Sequence, residues 1–398
     1  MERLIPIDLK IPKPNAFLRA GLFILVLKVL VPVFTYIQMP GWLDDVLSVL
    51  GALCLLASLS GRKYKLGTLL VCGAVGLLAL FTSVLVRNLS LFLTLLTILA
   101  ISHRKNTIRL LFRYEVLVVS VLFAIAMVLT LLGVNLEVLA SGEMVYVYGF
   151  IHPNMLGAVF YNLAGMWMWL HYDRLDIKHY LFFIGYYIVL FLMTGSRTCF
   201  AIGLFCVLLT WFSRQKADWI KPFLKYSAQW IFPLIAVVII GLVLAYRSEN
   251  GLVMKLDSLL SARIKLGAFA YEHFGPTLFG QVIDFTKDFG WSDFWRLQNL
   301  GTFDNLYTYF MMNYGIVWLF VVSIALWLLA RRGQKKTNVM LICWAVYSIT
   351  EVVTLNGYLA FPILLTSHLL SNRFKLWPKK PDQPSVWKRA KRMPESDL

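Results

Sequence analysis

The chain has 398 residues, of which 59% are hydrophobic and 15% charged, and its mean hydropathy is +0.70. Soluble domains carry about 25% charged residues, so a soluble enzyme, a secreted disulfide scaffold and a disordered chain are all excluded. The net charge of +17 accompanies apolar runs near the roughly 20-residue length of a membrane-spanning helix, which predicts a polytopic membrane protein.

In chain order, apolar runs bounded by polar or basic clusters predict an all-α polytopic membrane fold of about twelve transmembrane helices. They lie near residues 17–37, 42–60, 66–86, 89–102, 113–133, 155–171, 180–195, 198–213, 226–246, 306–330, 337–355 and 358–371. The run 89–102 is short and reads as a half-inserted helix or part of a bent hairpin. No small-residue cleavage site follows the first run, so it is expected to stay as an uncleaved span. The whole chain, 1–398, reads as one integral-membrane domain without internal repeats.

Two connections are long, 134–154 and 247–304. The second is too polar to span and too large for a turn, and is expected to form a large, partly helical extracellular loop. Leu256, Leu259, Leu260, Ile264 and Tyr271 recur in it near helical spacing, which predicts an amphipathic helix against the outer leaflet or over the bundle. Gly275, Pro276 and Gly280 break it. Residues 372–398 form a basic tail.

Charge sets the orientation. Counted along the chain, 29 of the 38 Lys and Arg fall in segments that one topology places in the cytoplasm, among them Arg104, Lys105, Arg109 and Arg113. This positive-inside pattern predicts cytoplasmic termini in the cell membrane, and suits anionic lipids better than nucleic acid. Cys54, Cys72, Cys199, Cys206 and Cys343 all lie in apolar runs without metal-ligand spacing, and read as small buried hydrophobes.

Four polar clusters resist a purely structural reading, because charges at or within the membrane are costly. Arg197 lies in Thr194-Gly195-Ser196-Arg197-Thr198, the tip of a hairpin between runs of about 16 residues. Such runs reach about 24 Å against a hydrocarbon core of about 30 Å, which sinks the tip slightly below the outer surface. The guanidinium there either forks onto the phosphate of a substrate or snorkels to ordinary lipid phosphates. His152-Pro153-Asn154 reads as an outward-facing helix start, where His152 could act as general base or bond a sugar, and Asn154 could satisfy helix-end amides. The outer loop offers Arg247, Arg263 and Arg296 among mixed charges. Arg263 stands apart because Ser261-Ala262-Arg263-Ile264 falls within the apolar helical pattern, close to its membrane-facing stripe. Asp304, before Asn305, could cap the next span or deprotonate a hydroxyl. Glu115 and Glu351, near span ends, could pair with lysines or arginines and are assigned no role.

Gly149-Phe150-Ile151-His152-Pro153-Asn154, Thr194-Gly195-Ser196-Arg197-Thr198, Ser261-Ala262-Arg263-Ile264, and Asp304-Asn305 followed nine residues later by Gly315 together resemble the Wzy-type polysaccharide repeat-unit polymerases. These share a superfamily with the O-antigen ligases, and the wording is similar to capsule and exopolysaccharide polymerases of Gram-positive bacteria. The ligase branch carries a histidine where this chain has Asp304, which favours the polymerase branch and leaves the identity of the base open.

The resemblance implies glycosyl transfer on the outer face between two substrates linked to undecaprenyl pyrophosphate, one of them the growing polysaccharide. Its catalytic residues would be Arg197 and Arg263 over the departing pyrophosphate, with Asp304 or His152 as base. Asn154, Asn305, Arg247 and Arg296 would bind substrate. It implies no metal or other cofactor, and as partners a flippase and a chain-length regulator of the same pathway. The rivals are a ligase that moves finished glycan to a lipid or wall acceptor, a lipid-linked oligosaccharide flippase, and a structural scaffold of the assembly machinery.

Overall fold

Apolar runs in lipid have no water to satisfy their amides, so the backbone must bond within each segment, and helices dominate the chain. The computed structural model describes residues 4–7, 14–60, 62–102, 106–134, 136–140, 143–259, 263–283, 305–352 and 356–370. The first nine helices are α1 (Pro14–Leu30), α2 (Gly41–Ala57), α3 (Leu66–Val86), α4 (Ser90–Ile101), α5 (Thr107–Leu131), α6 (Pro153–Leu170), α7 (Ile177–Thr194), α8 (Arg197–Ser213) and α9 (Ile220–Arg247). Then come α10 (Gly251–Leu259), α11 (Arg263–His273), α12 (Leu306–Tyr309) with a π-helical turn (Phe310–Tyr314), α13 (Ile316–Arg332) and α14 (Lys335–Tyr347). A 3-10 turn (Phe361–Thr366) and α15 (Ser367–Leu370) follow.

Among the described residues, five helices are long and apolar enough to cross a membrane: α1 with the turn after it, α3, α5, α7 and α9. Shorter apolar helices, α4 and α8 among them, run beside these. Large apolar side chains point outward, with Leu192 75% and Leu77 70% exposed. That surface suits lipid and not water.

Two short antiparallel pairs were not signalled by hydropathy: β1 (Leu4–Ile7) with β2 (Arg62–Lys65), and β3 (Glu137–Ala140) with β4 (Glu143–Tyr146). Four-residue strands are too short to show a period.

Packing sets the positions of the helix ends. α1 lies along α2 and α5, α7 and α8 form a hairpin, and α14 is wedged against α8 and α9. Phe232 of α9 stacks on Trp344 of α14 at 5.3 Å between ring centres. The expected amphipathic helix of the outer loop is two helices, α10 and α11, and Asp257 of the first caps the second: its Oδ1 accepts from Ile264 N (2.8 Å) and Lys265 N (3.0 Å).

After α14 the chain does not continue as a helix. It returns through Tyr358, Leu359 and Ala360, all buried, and Asn162 of α6 secures that irregular backbone by accepting from Phe361 N (2.9 Å). The amide of Asn162 also donates to Tyr358 O (3.3 Å) and to Glu115 Oε2 (3.0 Å). Glu115 is therefore a buried member of this network, away from any lysine or arginine partner among the described residues.

Candidate active site

α6 starts at the His-Pro-Asn motif as its sequence indicates, but its cap is His152 and not Asn154. Pro153 occupies the first turn, where its missing N–H costs nothing, and His152 caps the helix through Nδ1, which accepts from Asn154 N (3.1 Å). In that geometry a neutral imidazole carries its proton on Nε2, so His152 presents a donor and not a base. Ahead of it, Gly149 O accepts from Thr35 N (2.8 Å) and Ile151 N donates to Val33 O (2.8 Å). Gly149 has φ +85°, and a Cβ there would lie 2.6 Å from Ala126 Cβ. The glycine half of the motif thus ties the start of α6 to the end of α1, while the His-Pro-Asn half stays at the helix tip.

The hairpin tip lies beside it. α7 ends at Thr194, the chain turns at Gly195, and Ser196 Oγ accepts from Cys199 N (3.4 Å) to open α8. Cys199 Sγ donates to Gly157 O (3.2 Å), which brings the first turns of α6 and α8 together. Arg197, the first residue of α8, is exposed and has no carboxylate partner among the described residues. A cation at the positive end of a helix is unfavourable unless an anion joins it.

Arg263 opens α11, but its side chain does not lie on a membrane-facing stripe. It turns into the bundle, where Nε donates to Thr350 O (3.1 Å) and a terminal nitrogen lies 4.0 Å from Glu351 Oε1. The two side chains are only 10% and 8% exposed. Asn305 reaches the same segment, donating from Nδ2 to Ile349 O (2.9 Å) while Oδ1 accepts from Tyr307 N and Thr308 N. The end of α14 is therefore a hub. Cys199 lies within electrostatic reach of Glu351, and Tyr347 within reach of Glu351, Cys199 and Arg263. The Tyr347 ring is 4.7 Å from that of Tyr161 on α6.

Around this hub the structure gathers the first turns of α6 and α8 with Arg263 and Asn305, so His152, Asn154 and Arg197 share one end of the bundle with them. Arg247 is engaged elsewhere: its Nε is 3.2 Å from Glu272 Oε1 and its guanidinium lies over the Tyr271 ring at 4.8 Å. Asp304 and Arg296 lie outside the described residues. Glu351 was named from sequence only as a carboxylate open to pairing with a lysine or arginine, and Arg263 is the cation it meets. Its only signal is a lone carboxylate in an apolar run, and the partner that explains it is 88 positions away. Among the described residues no three of His, Cys, Asp or Glu gather as a metal-ligand set.

The Asp-Asn motif ends in a hinge. Gly315 has φ +93°, and there Ile316 N donates to Thr277 O (2.9 Å) and Val317 N to Leu278 O (3.2 Å). A Cβ at Gly315 would collide with Leu278 O and Gly280 N, so only glycine lets the outer segment seat on the start of α13.

Chemically, the hub joins two helix starts, an exposed arginine and a buried arginine–glutamate pair, an arrangement suited to an anionic group. Comparisons with protein-family models, curated proteins and solved structures found no match to this chain.

Proposed function

We propose that the chain is a membrane glycosyltransferase that polymerises undecaprenyl-pyrophosphate-linked oligosaccharide repeat units into capsular or exopolysaccharide. The observation that carries this reading is the meeting of motifs as far apart as His152 and Asn305, at 152–154, 194–198, 263 and 305, around the end of α14. In this reading the five long helices and the shorter ones make about twelve crossings of the cell membrane, with both termini in the cytoplasm and the hub facing outward.

A hydroxyl of the incoming repeat unit attacks the anomeric carbon of the growing chain. The bond from that carbon to the pyrophosphate oxygen breaks, and the hydroxyl proton passes to a base. Arg197 and the positive start of α8 receive the charge that develops on the pyrophosphate. Arg263, braced by Thr350 and Glu351, holds its position beside them. Asp304, next to the anchored Asn305, is the base, and His152 donates to a sugar oxygen.

The test uses purified protein in detergent with its lipid-linked repeat unit and no nucleotide sugar, with products resolved on a gel. The expected result is a ladder of longer glycans, and Arg197→Ala lowers its initial rate about a hundred-fold or more while folded protein is unchanged. A near-normal ladder from that variant removes Arg197 from the site. Ligation of glycan without lengthening would instead indicate the ligase reading. Transport has less support, because the candidate residues crowd one end of the bundle and do not line a path through it.

A further inference from the structure

A polar concavity lies at the end of the bundle opposite the hub. α5 has 25 residues, a length of about 37 Å, and its Ala126 end touches Gly149 beside the candidate active site. At its other end, between the starts of α1 and α5, is an open cavity of about 470 Å³. Arg19 of α1 and Arg109 and Arg113 of α5 line it. All three are exposed, and none has a carboxylate partner among the described residues. Among the described residues no carboxylate lines the cavity either.

Positive-inside bias accounts for basic residues at such an end, but not for their concentration around one hollow. Arg109 and Arg113, four apart, share a helix face and repel each other there. They also occupy the first two turns of α5, the end that favours anions, and Asn106 provides no side-chain cap to that helix. Leu18 and Leu110 add an apolar wall.

We propose that this cavity binds a phosphate-bearing anion, which the three guanidinium forks hold against the start of α5. The same chemistry is offered by an anionic phospholipid headgroup at the membrane surface and by a soluble phosphate.

The test uses the full chain in two arms, with R109Q/R113Q as the variant and R331Q/R332Q as a control at another basic helix end. In the first arm, nanodiscs of phosphatidylcholine and phosphatidylglycerol are exchanged into detergent, and retained phosphatidylglycerol is measured by mass spectrometry. In the second, inorganic phosphate and pyrophosphate are titrated into delipidated protein. The expected result is retention by wild type and control that falls about ten-fold or more in R109Q/R113Q, in at least one arm. Loss confined to the first arm identifies a lipid headgroup, and loss confined to the second a soluble phosphate. Equal binding by wild type and R109Q/R113Q in both arms, with all proteins eluting as folded, overturns the proposal.

Discussion

At the scale of single residues, Asn162 does the most for the fold. Its amide completes the hydrogen bonding of a non-helical return inside the bundle, where unsatisfied backbone is tolerated only if protein supplies the partner. Asn162→Leu leaves Phe361 N, Tyr358 O and the Glu115 carboxyl without it, and is expected to cost about 3 kcal/mol or more, read as a lowered unfolding midpoint in detergent. Glu115→Gln keeps an oxygen to accept from Asn162 and removes a buried acid whose Oε1 has no partner, so its midpoint should stay within about 1 kcal/mol of wild type or rise. A severe loss from Glu115→Gln would mean that the carboxylate itself is required. Arg263 teaches a related lesson: helical spacing placed it within one continuous helix near a membrane-facing stripe, whereas it opens α11 and turns inward to Thr350 and Glu351, which no local pattern connects to it.

At the scale of elements, the nine residues between Asn305 and Gly315 acquire a physical meaning. They are consumed by α12 and the π-helical turn, which carry the chain from the asparagine cap to the glycine hinge. Gly315→Ala forces a side chain into φ +93° and against Leu278 O, so it should destabilise the seat of residues 277–281 by about 1–3 kcal/mol. Faster amide exchange confined to Gln281, Ile316 and Val317 would register this, and unchanged exchange would show that the seat does not depend on the hinge. The start of α6 was legible because its signal is local, His152–Pro153 opening the helix, whereas α7 (Ile177) and α9 (Ile220) begin ahead of the apolar runs that hydropathy marks. The break between α10 and α11 was not legible, since the apolar spacing runs through it and Asp257 reveals itself only by folding back onto α11.

At the scale of the whole molecule, the exposed large apolar side chains suit lipid, and the proposed function sets an expected direction for the two unlike polar ends. The end holding the hub should face outward and the end holding Arg19, Arg109 and Arg113 inward. In a background with the half-buried Cys54 and Cys72 replaced by serine, a cysteine at exposed Asn250 should react with an impermeant maleimide on intact cells. One at exposed Lys216 should react only after permeabilisation. The reverse labelling would invert the topology and move the hub away from any externally assembled glycan.

The sequence by itself determined the membrane class, the places of the helices and the starts of several of them. Those depend on hydropathy over one segment and on caps within three or four residues. Only the tertiary structure decided that Arg263 turns inward to Glu351, that Asn305 straps Ile349, and that Asn162 holds the return at Phe361. Each of these joins a side chain to a group 44 or more positions away. Which distant carbonyl or carboxylate meets a polar side chain is set by helix packing, because burial leaves every polar group to find a partner wherever the fold provides one.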